Sequence, residues 1–266
     1  MVKTKTETQN NPLKQKVIAI INQKGGVGKS TTAVNLAAAL GELENKVLLV
    51  DLDPQGNATS GLGVEKTANM KCVYDGIIND VPIGEIIIKE VAKNLDIVPA
   101  TIDLAGAEVE LMSEYARERR LADFIDPEVA NYDYTIIDCP PSLGQLTINA
   151  LTAAQGIIIP IQCEFYALEG LTKLLETEKI VKKRMNQDLE ILGALMTMYD
   201  KRTVLTKQVV DEVQRFFGDK VFKTMIPRTV KLAEAPSHGK SIFEYLPKGS
   251  GAEAYRELAK EVIERG

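Results

Sequence analysis

An apolar run of strand length, Val17–Ile21, leads into Gln23-Lys24-Gly25-Gly26-Val27-Gly28-Lys29-Ser30. A segment then follows whose Ala33, Val34, Leu36, Ala37 and Leu40 make it apolar nearly all round. A buried strand joined to a buried helix by a glycine-rich turn is the local unit of a parallel sheet with helices on both faces. The same alternation continues along the chain. Val47–Val50, Leu95–Val98, Tyr134–Ile137, Gly156–Ile161, Ile191–Met198 and Val221–Ile226 read as strands, and helical patterns fall at about 103–118, 144–154, 167–185, 204–217 and 251–264. The expected fold is a single α/β domain over 16–266, mostly parallel and P-loop NTPase-like, after a polar, disordered tail at 1–15 rich in Lys, Thr, Gln and Asn. No internal repeat and no linker interrupts it.

Composition narrows the function. No stretch approaches the roughly 20 apolar residues a spanning helix needs, and Met1–Lys16 lacks the apolar core of a secretory signal; a cytosolic protein is expected. The three cysteines, Cys72, Cys139 and Cys163, are far apart and are expected to be reduced thiols. The formal net charge of −5 excludes bulk attraction to nucleic acid, yet residues 161–248 hold 15 Lys and Arg against 12 Asp and Glu. Aromatics make up 5% of the chain and Trp is absent, so any nucleic-acid contact must use phosphates rather than stacked bases.

The glycines of the first loop let backbone N–H groups point at an anion, and the helix start adds its dipole. Such a loop cradles phosphates. Lys29 would reach the β- and γ-phosphates, the Ser30 hydroxyl would ligate Mg²⁺, and Thr31 would hold the α-phosphate. GxxxxGK[ST] is not met, because its first glycine falls at Gln23; the stretch has the deviant form KGGxGK[ST]. Two acidic sites end apolar strands. In Asp51-Leu52-Asp53-Pro54-Gln55-Gly56, alternation puts Asp51 and Asp53 on one side of an extended segment, and Asp53 is the candidate to accept hydrogen bonds from an attacking water. In Ile136-Ile137-Asp138-Cys139-Pro140-Pro141, Asp138 has the strand-end position that supports Mg²⁺ directly or through water. Phosphoryl transfer to water needs a placed water, neutralised phosphate charge and a held metal, and these parts supply all three. His238, the only histidine, reads in Pro236-Ser237-His238-Gly239 as a loop residue rather than a catalyst, so no Ser/His/Asp triad is expected and no histidine-based metal site can be built.

With these residues in hand, the chain resembles the ParA/Soj-type partitioning ATPases of the MinD/ParA group from about Lys16 to Glu264. The stretches VLLVDLDPQGNATSGLG from Val47, DCPPSLGQLTINAL from Asp138, YALEGL from Tyr166 and IPRTVKLAEAPSHGKSI from Ile226 carry the likeness. The resemblance implies an ATP- and Mg²⁺-dependent homodimer, cytoplasmic and nucleoid-associated. It would bind double-stranded DNA non-specifically and be reset when a ParB-type centromere-binding partner stimulates hydrolysis. By position it implies that Lys24 reaches the partner's nucleotide, and that Gly25, Gly26, Val27, Gly28, Lys29, Ser30 and Thr31 line the nucleotide site. Pro227 and Thr229 would lie near the base, the latter standing where the family commonly has Asn. Arg202, Lys231 and Arg228 would touch DNA, in keeping with the local basic excess.

Three rivals share parts of this pattern. A MinD-like membrane-cycling ATPase ends in a basic amphipathic helix, whereas the charges around Tyr255, Leu258, Ala259, Val262 and Ile263 sum to −1, so this stripe is expected to pack on the domain. An iron–sulfur carrier needs closely placed cysteines. A nucleotide-gated scaffold that does not hydrolyse would share the loop.

Overall fold

The computed structural model describes residues 16–164, 167–168 and 170–265. The expected tail at 1–15 and part of the stretch from Tyr166 lie outside the described residues. Seven strands form one sheet: β1 (Lys16–Ile20), β2 (Val47–Asp51), β3 (Ile88–Ala92), β4 (Leu95–Val98), β5 (Tyr134–Asp138), β6 (Gly156–Gln162) and β7 (Glu190–Thr197). Their order is β3-β4-β2-β5-β1-β6-β7, parallel throughout except for the β3–β4 edge pair. From β1 the chain passes through α1 (Lys29–Glu42) to β2 on one side, while from β5 it crosses to β6 on the other. Connections therefore diverge around β1 and β5, the position where open α/β sheets form a crevice at their strand ends.

Alternation along the strands explains their unbroken apolar runs. Val17, Ala19 and Ile21 belong to one core with Leu48, Val50, Ile157 and Ile159, whereas Ile18 and Ile20 belong to the other with Val47, Leu49 and Ile158. The second core holds α1 and α11 (Ser250–Arg265), with Tyr255, Leu258, Ala259 and Val262 all buried. The apolar stripe of the last helix is thus largely consumed by packing on α1, and only Ile263 stays exposed. Among the described residues, no helix is long and apolar enough to cross a membrane.

The structure departs from the sequence expectations in several places, the short helices at Val230–Glu234 and Ile242–Tyr245 among them. Residues 221–226 form no strand: Phe222 N–H and Ile226 N–H donate to β7, but the N–H groups of Lys223 and Thr224 donate to the Glu261 carboxylate on α11. A side chain remote in sequence has replaced the ladder. The pattern at 103–118 is a shorter helix, α4 (Leu104–Glu110), followed by a 3-10 turn at Leu111–Ser113 and then by α5 (Arg120–Val129). The edge strand β3, with mixed Lys and Glu, carries no apolar alternation to announce it. Short helices at α2 (Asn57–Gly61) and α3 (Val73–Asn79) were likewise not expected. The remaining helices are α6 (Gln145–Ala153), α7 (Leu171–Arg184), α8 (Val204–Phe217), α9 (Val230–Glu234) and α10 (Ile242–Tyr245).

Candidate nucleotide site

The glycine-rich loop leaves β1 and is pinned from outside. The buried Asn22 amide donates to the Pro160 carbonyl on β6 at 2.7 Å and its oxygen accepts Lys24 N–H at 2.9 Å. The Thr197 hydroxyl at the end of β7 donates to the Val27 carbonyl at 2.8 Å. Gly26 and Gly28 have φ of 75° and 89°, conformations L side chains rarely adopt, so the turn itself requires glycine there. Lys29 folds back across the loop, its Nζ donating to the Lys24 carbonyl at 3.1 Å. Burial lowers the Lys29 pKa, while Asp138, Cys139 and Asp53 oppose that shift.

Strand register places the acidic residues. Asp51 pairs with Asp138 across β2 and β5, and Asp138 pairs with Ile20 of β1, so both carboxylates sit beside the strand that feeds the loop. Asp51 is fully satisfied: it accepts Asp53 N–H at 3.2 Å, Thr59 N–H at 2.8 Å and the Thr59 hydroxyl at 2.7 Å. Burial nevertheless pushes its pKa up to about 6, against those three hydrogen bonds. The chain then turns, with Gly56 N–H donating to the Asp53 carbonyl at 2.8 Å, and Asp53 lines the cleft. Leu52 stays in one core with Leu48 and Val50, so the alternation holds through Asp51 and Asp53, but the two carboxylates have different partners. The first braces the turn through Thr59, and the second meets the cavity.

Among the described residues three have buried side-chain atoms without a hydrogen-bond partner, Thr135, Gln145 and Asp138, and the ionisable one is Asp138. It is fully buried, and neither carboxylate oxygen has a hydrogen-bond partner. Burial raises its pKa well above the ordinary range, Asp51 and Asp53 add to the rise, and the nearby Ser30 hydroxyl and Lys29 oppose it. Ser30 is close enough to exert that pull without completing a well-formed hydrogen bond. An uncompensated buried carboxylate is costly unless a cation or its hydration shell completes it. With the Ser30 hydroxyl beside it, the donor set is hard oxygen, which would suit Mg²⁺.

A cleft of about 580 Å³ runs beside these parts, lined by Gly25, Gly26, Gly28, Lys29, Ser30, Thr31 and Asp53. Beside it lies a largely apolar cavity of about 260 Å³, whose wall includes Thr31, Met198, Pro227, Thr229 and Tyr255. The two cavities adjoin, sharing Gly28, Thr31 and Met198 in their walls. Thr229 also caps α9, its hydroxyl accepting Lys231 N–H at 3.3 Å. A larger groove of about 1040 Å³, at Lys46, Lys89 and Tyr132, lies at the opposite ends of the strands, away from the loop.

Three sequence-selected residues for the nucleotide site stand apart from the cleft wall, one of them the fully buried Asp138. The Val27 side chain is buried in the interior, and its carbonyl is taken by Thr197. Lys24 faces a separate surface depression with Gly170, Thr172 and Glu176, its ammonium 3.8 Å from Glu164. The DNA candidates separate into two groups. Arg202 is paired bidentately with Asp200, at 2.9 and 2.7 Å, and Arg228 adds its charge to the same carboxylate, whose pKa falls. Lys231 pairs with Glu234 at 2.8 Å over the Tyr245 ring. The sequence reading missed Asn22, Thr59 and Thr197, because polar residues that brace a loop carry no pattern of their own.

The comparisons with known proteins agree with this geometry. A family described as "AAA domain" matches residues 15–191. Over 251 residues the chain is 58% identical to the sporulation initiation inhibitor protein Soj of Bacillus subtilis, covering 94% of this chain and 99% of that protein. It is 51% identical over 250 residues to the chromosome partitioning protein ParA of Myxococcus xanthus, covering 94% and 88%. A crystal structure of a protein from Mycobacterium smegmatis, described as cobyrinic acid a,c-diamide synthase with bound ATP analog and magnesium, matches with a TM-score of 0.83 at 39% identity, over 94% of each chain. With a deviant phosphate loop, two strand-end aspartates and relatives matched over nearly their full length, the chain belongs to the ParA/Soj family of chromosome-partitioning ATPases.

Proposed function

We propose that the chain is an ATP-driven DNA-partition switch, and the observation that carries the reading is the unpartnered, fully buried Asp138 beside Lys29 and Ser30. The loop N–H groups and Lys29 bind the phosphates, Thr31 contributes its hydroxyl, and the apolar cavity at Pro227 and Thr229 receives the base. Ser30 and Asp138 hold Mg²⁺, which supplies neutralisation of phosphate charge when bound with the nucleotide. Asp53, which lines the cleft wall, accepts hydrogen bonds from the attacking water and orients it. Lys24, turned out of its own cleft, exchanges its exposed 3.8 Å pair with Glu164 for the nucleotide of a second copy, so ATP favours a homodimer. Arg202, Arg228 and Lys231 then meet DNA phosphates without reading sequence. A ParB-type partner stimulates hydrolysis and ends the bound state, which places the protein in the cytoplasm on the nucleoid.

The test is DNA retention by wild type and Asp53→Ala with ATP, ADP and no nucleotide, across a salt series, with light scattering on each sample. ATP-dependent dimers that bind DNA and persist in Asp53→Ala are expected. Dimers without DNA affinity at low salt would refute the partition switch, and equal ATP turnover in the two proteins would remove Asp53 from hydrolysis.

A further inference from the structure

Thr197 belongs to no motif, yet both arms of its side chain are turned to the phosphate loop. It is the last residue of β7, 3% exposed, held in register opposite Gln162, and its carbonyl accepts the Cys163 N–H at 3.1 Å. Its hydroxyl donates to the Val27 carbonyl at 2.8 Å. Its methyl lies along the same peptide, 3.9 Å from where a β-carbon on Gly28 would stand.

The peptide between Val27 and Gly28 has two ways to point. In a trans peptide the carbonyl and the following N–H face opposite sides, so a flip turns both over together. Glycine accepts either sign of φ at little cost, so the loop's own conformational preference does not choose between them. Gly28 has φ 89° and ψ 29°, and its own carbonyl is taken by the Thr32 N–H at 2.9 Å as α1 begins. The choice therefore falls on the Val27 carbonyl, and Thr197 holds it. Thr197 lies in the wall of the apolar cavity and not in that of the cleft, whereas Gly28 lines both. A carbonyl drawn toward Thr197 leaves the Gly28 N–H facing away from Thr197.

We propose that Thr197 is a positioning residue for the phosphate loop: its hydroxyl selects the peptide orientation that offers the Gly28 N–H to the nucleotide phosphates and keeps the Val27 carbonyl oxygen away from them. This rests on the nucleotide reading of the cleft and divides the ligand in two. Thr197 sets the affinity for the phosphates, while the base keeps its apolar wall. The clamp sits on the end of a buried strand, so the donor is aimed before any nucleotide arrives.

The test uses the full-length protein with Mg²⁺, and displacement of a fluorescent ADP analogue reads the affinities for ADP and for adenosine. Thr197→Val keeps the shape of the wall and removes the donor. It is expected to bind ADP at least about tenfold more weakly, the scale of one charge-assisted hydrogen bond, and adenosine within about twofold of wild type. Thr197→Ser, which restores the hydroxyl, is expected to recover most of the ADP affinity. In ¹⁵N-labelled wild type, the Gly28 amide proton is expected to move downfield with ADP and to stay in place with adenosine. ADP affinity untouched by Thr197→Val, equal loss of ADP and adenosine, or a serine variant as weak as the valine one would each overturn the proposal. A Gly28 amide that ignores ADP would do the same, and that reading needs no variant, so it decides the matter even where Thr197→Val does not fold. Wild type that binds no ADP would bring down the nucleotide reading together with the clamp, whereas tight ADP binding by Thr197→Val removes the clamp alone. Neither measurement contains DNA, so both are separable from failure of the partition switch.

Discussion

Replacing Asp138 by Asn should make the empty protein more stable and the nucleotide-bound protein less so. In the folded chain both Asp138 oxygens are buried without a partner, and Asp51 and Asp53 lie close enough to add repulsion. Its folded pKa is raised, so folding holds the proton more tightly than the unfolded chain does. That contribution is complete below the ordinary carboxylate pKa of 3.8 and is lost as pH rises through the raised folded value. Asparagine cannot ionise, so the loss disappears with the carboxylate. The gain of Asp138→Asn should therefore grow with pH in the presence of a chelator, by up to about 1.4 kcal/mol for each pH unit between the ordinary and the raised carboxylate pKa. For a chain of this size each kcal/mol moves the melting temperature by about 2–4 °C. Adding Mg²⁺ and ATP at about one hundred times the dissociation constant should stabilise wild type by about 2.7 kcal/mol and the variant far less, reversing the order. The assay is thermal unfolding with chelator and with Mg²⁺ and ATP, between about pH 5 and about pH 8. A lower melting temperature for Asp138→Asn in chelator across that range would refute the argument, because the carboxylate would then be serving the fold itself.

Three further outcomes can be checked. Thr59→Val removes the hydroxyl that donates to Asp51 at 2.7 Å and accepts Ala100 N–H at 3.0 Å; urea denaturation should show a loss of about 2–4 kcal/mol. Gly41→Ala should destabilise by about 1–2 kcal/mol, also read by urea: alanine favours helix by about 1 kcal/mol, but its Cβ would run into the backbone carbonyl of Lys93, which cannot swing aside. Arg202→Ala should weaken ATP-dependent DNA retention and reduce its salt slope by about 1 while leaving ATP turnover intact; loss of ATP binding in that variant would count against its place in the DNA surface.

The parts legible in the sequence were those whose physics is local. The strand-loop-helix unit at Val17–Leu40 declares itself because a run of glycines before Lys29 and Ser30 can be read within a few residues, and buried parallel strands are apolar on both faces. Pattern also identified the stripe of α11, because the Tyr255–Val262 spacing follows the helix period. It failed at Val221–Ile226, where the residues have strand propensity but Glu261 takes two of the N–H groups a ladder would need. It blurred α4, because an apolar stripe facing solvent reads like one facing a core, and only packing separates Leu104 from Ile102.

The chain by itself thus determined a phosphate-binding turn, two acidic strand ends and a doubly covered sheet, since backbone conformation and apolar period act over a few residues. Tertiary structure alone decided what each carboxylate does. Asp51 and Asp138 occupy equivalent strand ends in register, yet Asp51 meets the donors of Thr59 and Asp53 while Asp138 meets none. That difference arises from which segments fold back over each strand end, and it leaves one aspartate as a brace and the other without a hydrogen-bond partner.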